Sequence, residues 1–74
     1  MALMELESPV TGVVWKVATV PGDRVSVGDT VVVVESMKME IPVEACTDGT
    51  VPQLLVAEGD PVTEDQPVAI LETD

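Results

Sequence analysis

The stretch Gly12-Val13-Val14-Trp15-Lys16-Val17-Ala18-Thr19-Val20-Pro21-Gly22-Asp23-Arg24-Val25 decides the fold, because it returns later as Gly49-Thr50-Val51-Pro52-Gln53-Leu54-Leu55-Val56-Ala57-Glu58-Gly59-Asp60-Pro61-Val62. Sliding the chain against itself by about half its length pairs Gly12 with Gly49, Val14 with Val51, Gly22 with Gly59 and Asp23 with Asp60. The register runs on without a gap through Val25 and Val62, Val31 and Val68, Val33 and Ile70, Val34 and Leu71, and Glu35 and Glu72. Self-similarity at a fixed period marks an architecture built twice from one unit. Paired turn glycines followed by the same Gly-Asp-x-Val pattern are hard to obtain by accident.

Each half reads as short strands joined by turns. Residues 13–20 and 50–57 are apolar-rich and run into Pro21-Gly22 or Glu58-Gly59. Pro before Gly suits the centre of a type II turn, whose second residue needs φ > 0. Residues 30–35 and 67–72 are the most strand-like stretches, and nothing sustains a 3.6-residue period, so helix content should be near zero. Ile41, Val43 and Ala45 alternate with Glu40, Pro42 and Glu44 in a half-buried strand that Pro42 assigns to an edge. Pro52 suggests an edge or a bulge, and Asp48-Gly49 reads as an ordinary hairpin turn. The expectation is an all-β fold, a flattened barrel or two packed sheets, whose closure limits exposed edges.

Composition narrows the function. Seventy-four residues allow one small domain, spanning 1–74. With one Trp and no Phe or Tyr, the aliphatic residues must supply almost all the packing. Fourteen acidic residues against three basic ones give a net charge of −11, which repels phosphate backbones and anionic lipid, so neither nucleic acid nor membrane is an expected partner. The run Val31-Val32-Val33-Val34 is too short to span a bilayer and the N-terminus lacks the basic start of an export signal, so the default is cytoplasmic. Cys46 has no partner for an internal disulfide, and without histidine no metal site or activated thiol is expected.

The two halves meet at Glu35-Ser36-Met37-Lys38-Met39-Glu40. A tight hairpin there should recruit Asn, Asp or Gly, because its central residues need φ > 0, and none is present. Places where local rules are broken in an otherwise consistent sequence are candidate functional sites. Two adaptable Met side chains flank a Lys where an idle tip would be polar. Lys38 is therefore the candidate, while the other lysine, Lys16, lies inside a strand without comparable neighbours.

The segment Glu35-Ser36-Met37-Lys38-Met39-Glu40 resembles the attachment motif of biotinyl carrier domains, the biotin carboxyl carrier proteins of biotin-dependent carboxylases. The resemblance extends from Ser8-Pro9-Val10-Thr11-Gly12 through both Gly-Asp-x-Val turns to Ile70-Leu71-Glu72. It implies a barrel-sandwich hybrid of two four-stranded antiparallel sheets with quasi-twofold symmetry, Lys38 on a protruding hairpin carrying covalent biotin between Met37 and Met39. The implied partners are a biotin protein ligase, a biotin carboxylase and a carboxyltransferase, as in acetyl-CoA carboxylase. Lipoyl domains usually place Asp before the lysine and Ala after it, so a lipoyl carrier is the alternative, with an unmodified adaptor barrel as another. Residues 15–25 carry no inserted thumb, which resembles minimal stand-alone carriers or a fragment cut from a longer carboxylase.

On this reading the chain is not an enzyme, and no catalytic residue or metal is expected in it. A lysine with pKa about 10.4 is almost wholly protonated at neutral pH, so the base for its acylation must come from the partner. Met37 and Met39 are expected to present the finished cofactor. Glu35 and Glu40 either guide basic surfaces or form a solvated face, and Ser36 is expected to make a turn hydrogen bond. Alternation from inward Val14 sets Trp15 on the opposite, partly exposed face, as a partner contact or as surface cover.

Overall fold

The computed structural model describes residues 2–74 as eight strands: β1 Leu3–Glu7, β2 Gly12–Val17, β3 Asp23–Val25, β4 Thr30–Ser36, β5 Met39–Glu44, β6 Gly49–Leu54, β7 Pro61–Val62 and β8 Pro67–Thr73, with no helix among them. They form two four-stranded antiparallel sheets, β1-β8-β6-β3 and β5-β4-β2-β7. The repeat carries β1 onto β5, β2 onto β6, β3 onto β7 and β4 onto β8, and so exchanges the two sheets. Each sheet takes two strands from each half, so neither half alone completes a sheet.

The core is nine valines, two leucines and two alanines, with no aromatic residue. Branched side chains suit this pleated interior because their stiff χ1 loses little freedom there. Leu6 matches Val43, Val14 matches Val51, Val25 matches Val62, and Val31, Val32 and Val34 match Val68, Ala69 and Leu71, all buried. Ala45 is matched instead by buried Ser8, whose hydroxyl donates to the Val10 carbonyl at 2.6 Å and so carries no burial penalty.

Four turns link the short strands, and all use one device. At residues 20–23, 26–29, 57–60 and 63–66 the fourth residue's amide donates to the first carbonyl at 2.9–3.1 Å. Its side chain, Asp23, Asp29, Asp60 or Gln66, accepts the first amide at 2.9–3.0 Å. The third residue has φ of 96°, 91°, 91° and 70° at Gly22, Gly28, Gly59 and Asp65. The expected turns at Pro21-Gly22 and Glu58-Gly59 are present, and among these four turns only that at Asp65 places a residue other than glycine at the left-handed position.

One expectation needs correction. Asp48-Gly49 is not a hairpin, since β5 and β6 lie in different sheets and Gly49 has no positive φ. Gly49 and its mate Gly12 are packing residues: a Cβ on Gly49 would lie 2.1 Å from the Glu72 carbonyl oxygen, and one on Gly12 2.2 Å from that of Glu35. Pro52 sits in β6, an interior strand, where the register shifts between Thr50 and Gln53, so the bulge alternative holds and the edge does not. Pro42 does lie on edge strand β5.

Candidate functional site

Strand β4 is the platform of the site. Val34, wholly buried, pairs with Ile41, and the ladder continues through Glu35 with Glu40 to Ser36 with Met39. Met37 and Lys38 remain as a two-residue loop with φ of 52° and 64°. Those are the two positive angles of a type I′ turn, the form that follows strand twist. For residues other than glycine each costs about 1–2 kcal/mol. The flanking ladder holds the conformation that Met and Lys would not choose.

Nothing ties the side chains down. Met37 is 92% exposed and Met39 63%. Lys38 is exposed and makes no ion pair or hydrogen bond among the described residues. Glu35 and Glu40, directly opposed across the ladder, lie below it as a solvated acidic pair. Ser36 makes no side-chain hydrogen bond among the described residues, so the turn is held by the backbone ladder and not by its hydroxyl. The arrangement displays an amine on a fixed stalk and encloses nothing.

Two clefts lie elsewhere among the described residues. One runs between edge strands β1 and β5, beside Leu6 and Val43; the other lies where β2 and β6 end, beside Val17 and Leu54. Neither reaches the tip. No cluster of potential metal ligands occurs among the described residues, and Cys46 is exposed and unpaired. No helix is long and apolar enough to cross a membrane.

The sequence reading singled out Met37, Lys38 and Met39, and the fold brings them together at one tip. It separates Lys16, which lies on the outer face of the same sheet. In β2 the register runs from Val14 opposite Val34 to Lys16 opposite Val33, so a bulge sets Trp15 and Lys16 together against Val33. Trp15 is 49% exposed, as expected, and Val13, which the sequence reading passed over, is 45% exposed beside it. The signal for Val13 was available in the repeat, where its mate is Thr50.

A tip of this kind is open to acylation from outside. The profile of the biotin/lipoyl family, described as "Biotin-requiring enzyme", matches residues 5–71. The chain is 47% identical over 57 residues to the biotin-dependent acyl-coenzyme A carboxylase alpha3 subunit of Mycobacterium leprae, covering 77% of this chain and 10% of that one. It is 41% identical over 61 residues to the biotin/lipoyl attachment protein of Bacillus subtilis, covering 82% and 84%. The urea carboxylase of Kluyveromyces lactis superposes with a TM-score of 0.92 at 36% identity, over 97% of this chain and 6% of that one. The chain thus spans a tenth or less of the large carboxylases it resembles and most of the small attachment protein. An all-β barrel with a doubled core and an unencumbered lysine at a strained hairpin tip, matched over nearly its whole length, belongs to the biotin/lipoyl family of biotin-requiring enzymes.

Proposed function

We propose that residues 1–74 are a single biotinyl domain in which Lys38 carries covalent biotin for a biotin-dependent carboxylase, and that the chain itself catalyses nothing. The observation that carries this reading is the Met37-Lys38 turn, where an exposed amine, unpaired among the described residues, sits on a backbone that pays for its shape. An amide-linked group fits there, because Lys38 has no ion pair to break among the described residues and no neighbouring wall to clash with it.

Attachment uses an activated biotinyl adenylate presented by a biotin protein ligase. A base on the ligase takes a proton from the Lys38 ammonium, the freed amine forms a C–N bond to the acyl carbonyl, the bond from that carbonyl carbon to the phosphate oxygen breaks with AMP as leaving group, and the nitrogen gives up a second proton to solvent. The lysine charge is lost, which makes the arm neutral and fit to enter an active site. When bound, biotin supplies a ring nitrogen that accepts and releases a carboxyl group. The chain's residues then do two things. The β4–β5 ladder fixes where the arm begins, and the tether turns transfer between biotin carboxylase and carboxyltransferase into a local event.

Co-expression with a biotin protein ligase should add one biotin, less one water, and peptide mapping should locate it on Lys38. Lys38→Arg should abolish the adduct while changing stability by no more than about 0.5 kcal/mol. Modification of Lys16, or lipoylation with biotin refused, would overturn the assignment. Met37 and Met39 serve presentation on this reading, so Met37→Leu with Met39→Leu should load biotin normally but slow carboxylation in a reconstituted carboxylase. Unchanged turnover at matched loading would remove that role.

A further inference from the structure

The repeat provides an internal control for the surface. Positions related by it carry the same structural load, so a difference between their outward side chains is not demanded by the barrel. On the sheet that bears the tip, the bulge turns Trp15 and Lys16 outward, and Val13 stands in register with Glu35, next to the hairpin. The repeat mates of Val13, Trp15 and Lys16 are Thr50, Pro52 and Gln53. The fold therefore tolerates polar or small residues at these places, yet the tip-bearing sheet exposes nearly half of a tryptophan and of a valine. Exposed aliphatic and aromatic area is costly in water, and Trp is among the residue types most enriched at the centre of binding interfaces.

The choice of occupant follows from what each enzyme can read. Once Lys38 is modified, its cofactor is a handle for any later enzyme. Before modification there is only protein surface, and Lys16 offers the same amine, exposed on the same sheet. Resting on the Lys38 assignment, we propose that Val13, Trp15 and Lys16 form the surface on which the biotin protein ligase docks. The ligase would meet it with an apolar socket edged by basic side chains, complementary to Glu35 and Glu40 and to a net charge of −11. The face is continuous with the tip through the Val13–Glu35 register, so an enzyme that grips it reaches Lys38 directly. The same contact covers Lys16 and withholds it from acylation.

The test is steady-state biotinylation by a ligase that modifies the wild-type chain, comparing wild type, Val13→Thr with Trp15→Thr, and the control Val27→Thr, whose valine is 64% exposed in the β3–β4 turn. The double variant should raise KM for the chain by about tenfold or more with kcat unchanged, the signature of lost uniform binding, and the control should change neither. Trp15 is the only aromatic residue, so the chain labelled with 5-fluorotryptophan gives a single fluorine resonance that reports on this face alone, even if the double variant fails to fold. That resonance should shift or broaden on titration with unlabelled ligase. Wild-type kinetics in a folded double variant, or a resonance moved by biotin carboxylase and not by ligase, would overturn the docking surface while leaving Lys38 in place. A wild-type chain that takes no biotin on Lys38 from any ligase would overturn the underlying assignment instead.

Discussion

The hairpin tip at Met37-Lys38 and the four turns at residues 20–23, 26–29, 57–60 and 63–66 all reverse the chain with left-handed residues, by opposite means. In the four turns sequence and conformation agree: three place glycine at the positive φ, the fourth places Asp, and a side chain accepts the first amide. At the tip two residues that disfavour positive φ are forced into it by the ladder below. The difference teaches that the tip's residues are not there for the turn. Strain kept at one place, in a chain that elsewhere solves the same problem without it, is what the role proposed for Lys38 accounts for.

Three variants test that contrast. The largest effect is expected at the frame: Gly49→Ala drives a Cβ into the Glu72 carbonyl and should cost about 3 kcal/mol, lowering Tm in thermal unfolding by roughly 15 °C. A tolerated alanine would mean that the close approach does not constrain the barrel. A smaller effect of opposite sign is expected at the tip. Met37→Asn with Lys38→Gly supplies the residues a type I′ turn prefers and should stabilise the chain by about 1 kcal/mol, with no biotin accepted. Loss of stability there would show that the methionine or lysine side chain contributes packing, and the contrast would fail.

The smallest effect is expected at Asp74, the repeat mate of Met37. Whereas Met37 stands free, Asp74 takes a bidentate contact from Arg24, whose hydrogen bonds hold the carboxyl below its ordinary 3.8. A carboxyl depressed in the folded state adds stability above its unfolded pKa and loses it as pH falls through the folded one. Asp74→Asn should therefore lower Tm slightly at neutral pH, with the difference shrinking as pH falls below 3.8 and disappearing once the folded carboxyl is protonated. A difference that persisted in acid would point to packing and not charge.

Much of this was legible beforehand. Val14 and its mate Val51 were identifiable as inward-facing because the repeat and the strand alternation both set them there, and both are buried. Lys38 stood out because a tight turn lacked every residue that tight turns favour. Asp48-Gly49 was misread for the converse reason. Its local chemistry is that of a hairpin, but a hairpin also needs the strand before it to pair with the strand after it, and β5 and β6 pair elsewhere.

By itself, then, the sequence determined that the chain is an all-β repeat with an aliphatic core and one anomalous lysine, since periodicity, turn chemistry and branching are local properties. Only the tertiary structure decided which sheet each strand joins, why Gly12 and Gly49 cannot carry a Cβ, and that a bulge turns Trp15 and Lys16 to one face beside the tip. Those features depend on the register of a partner strand distant in the chain. A shift of one residue there reverses which side chains face out, and no local pattern records it.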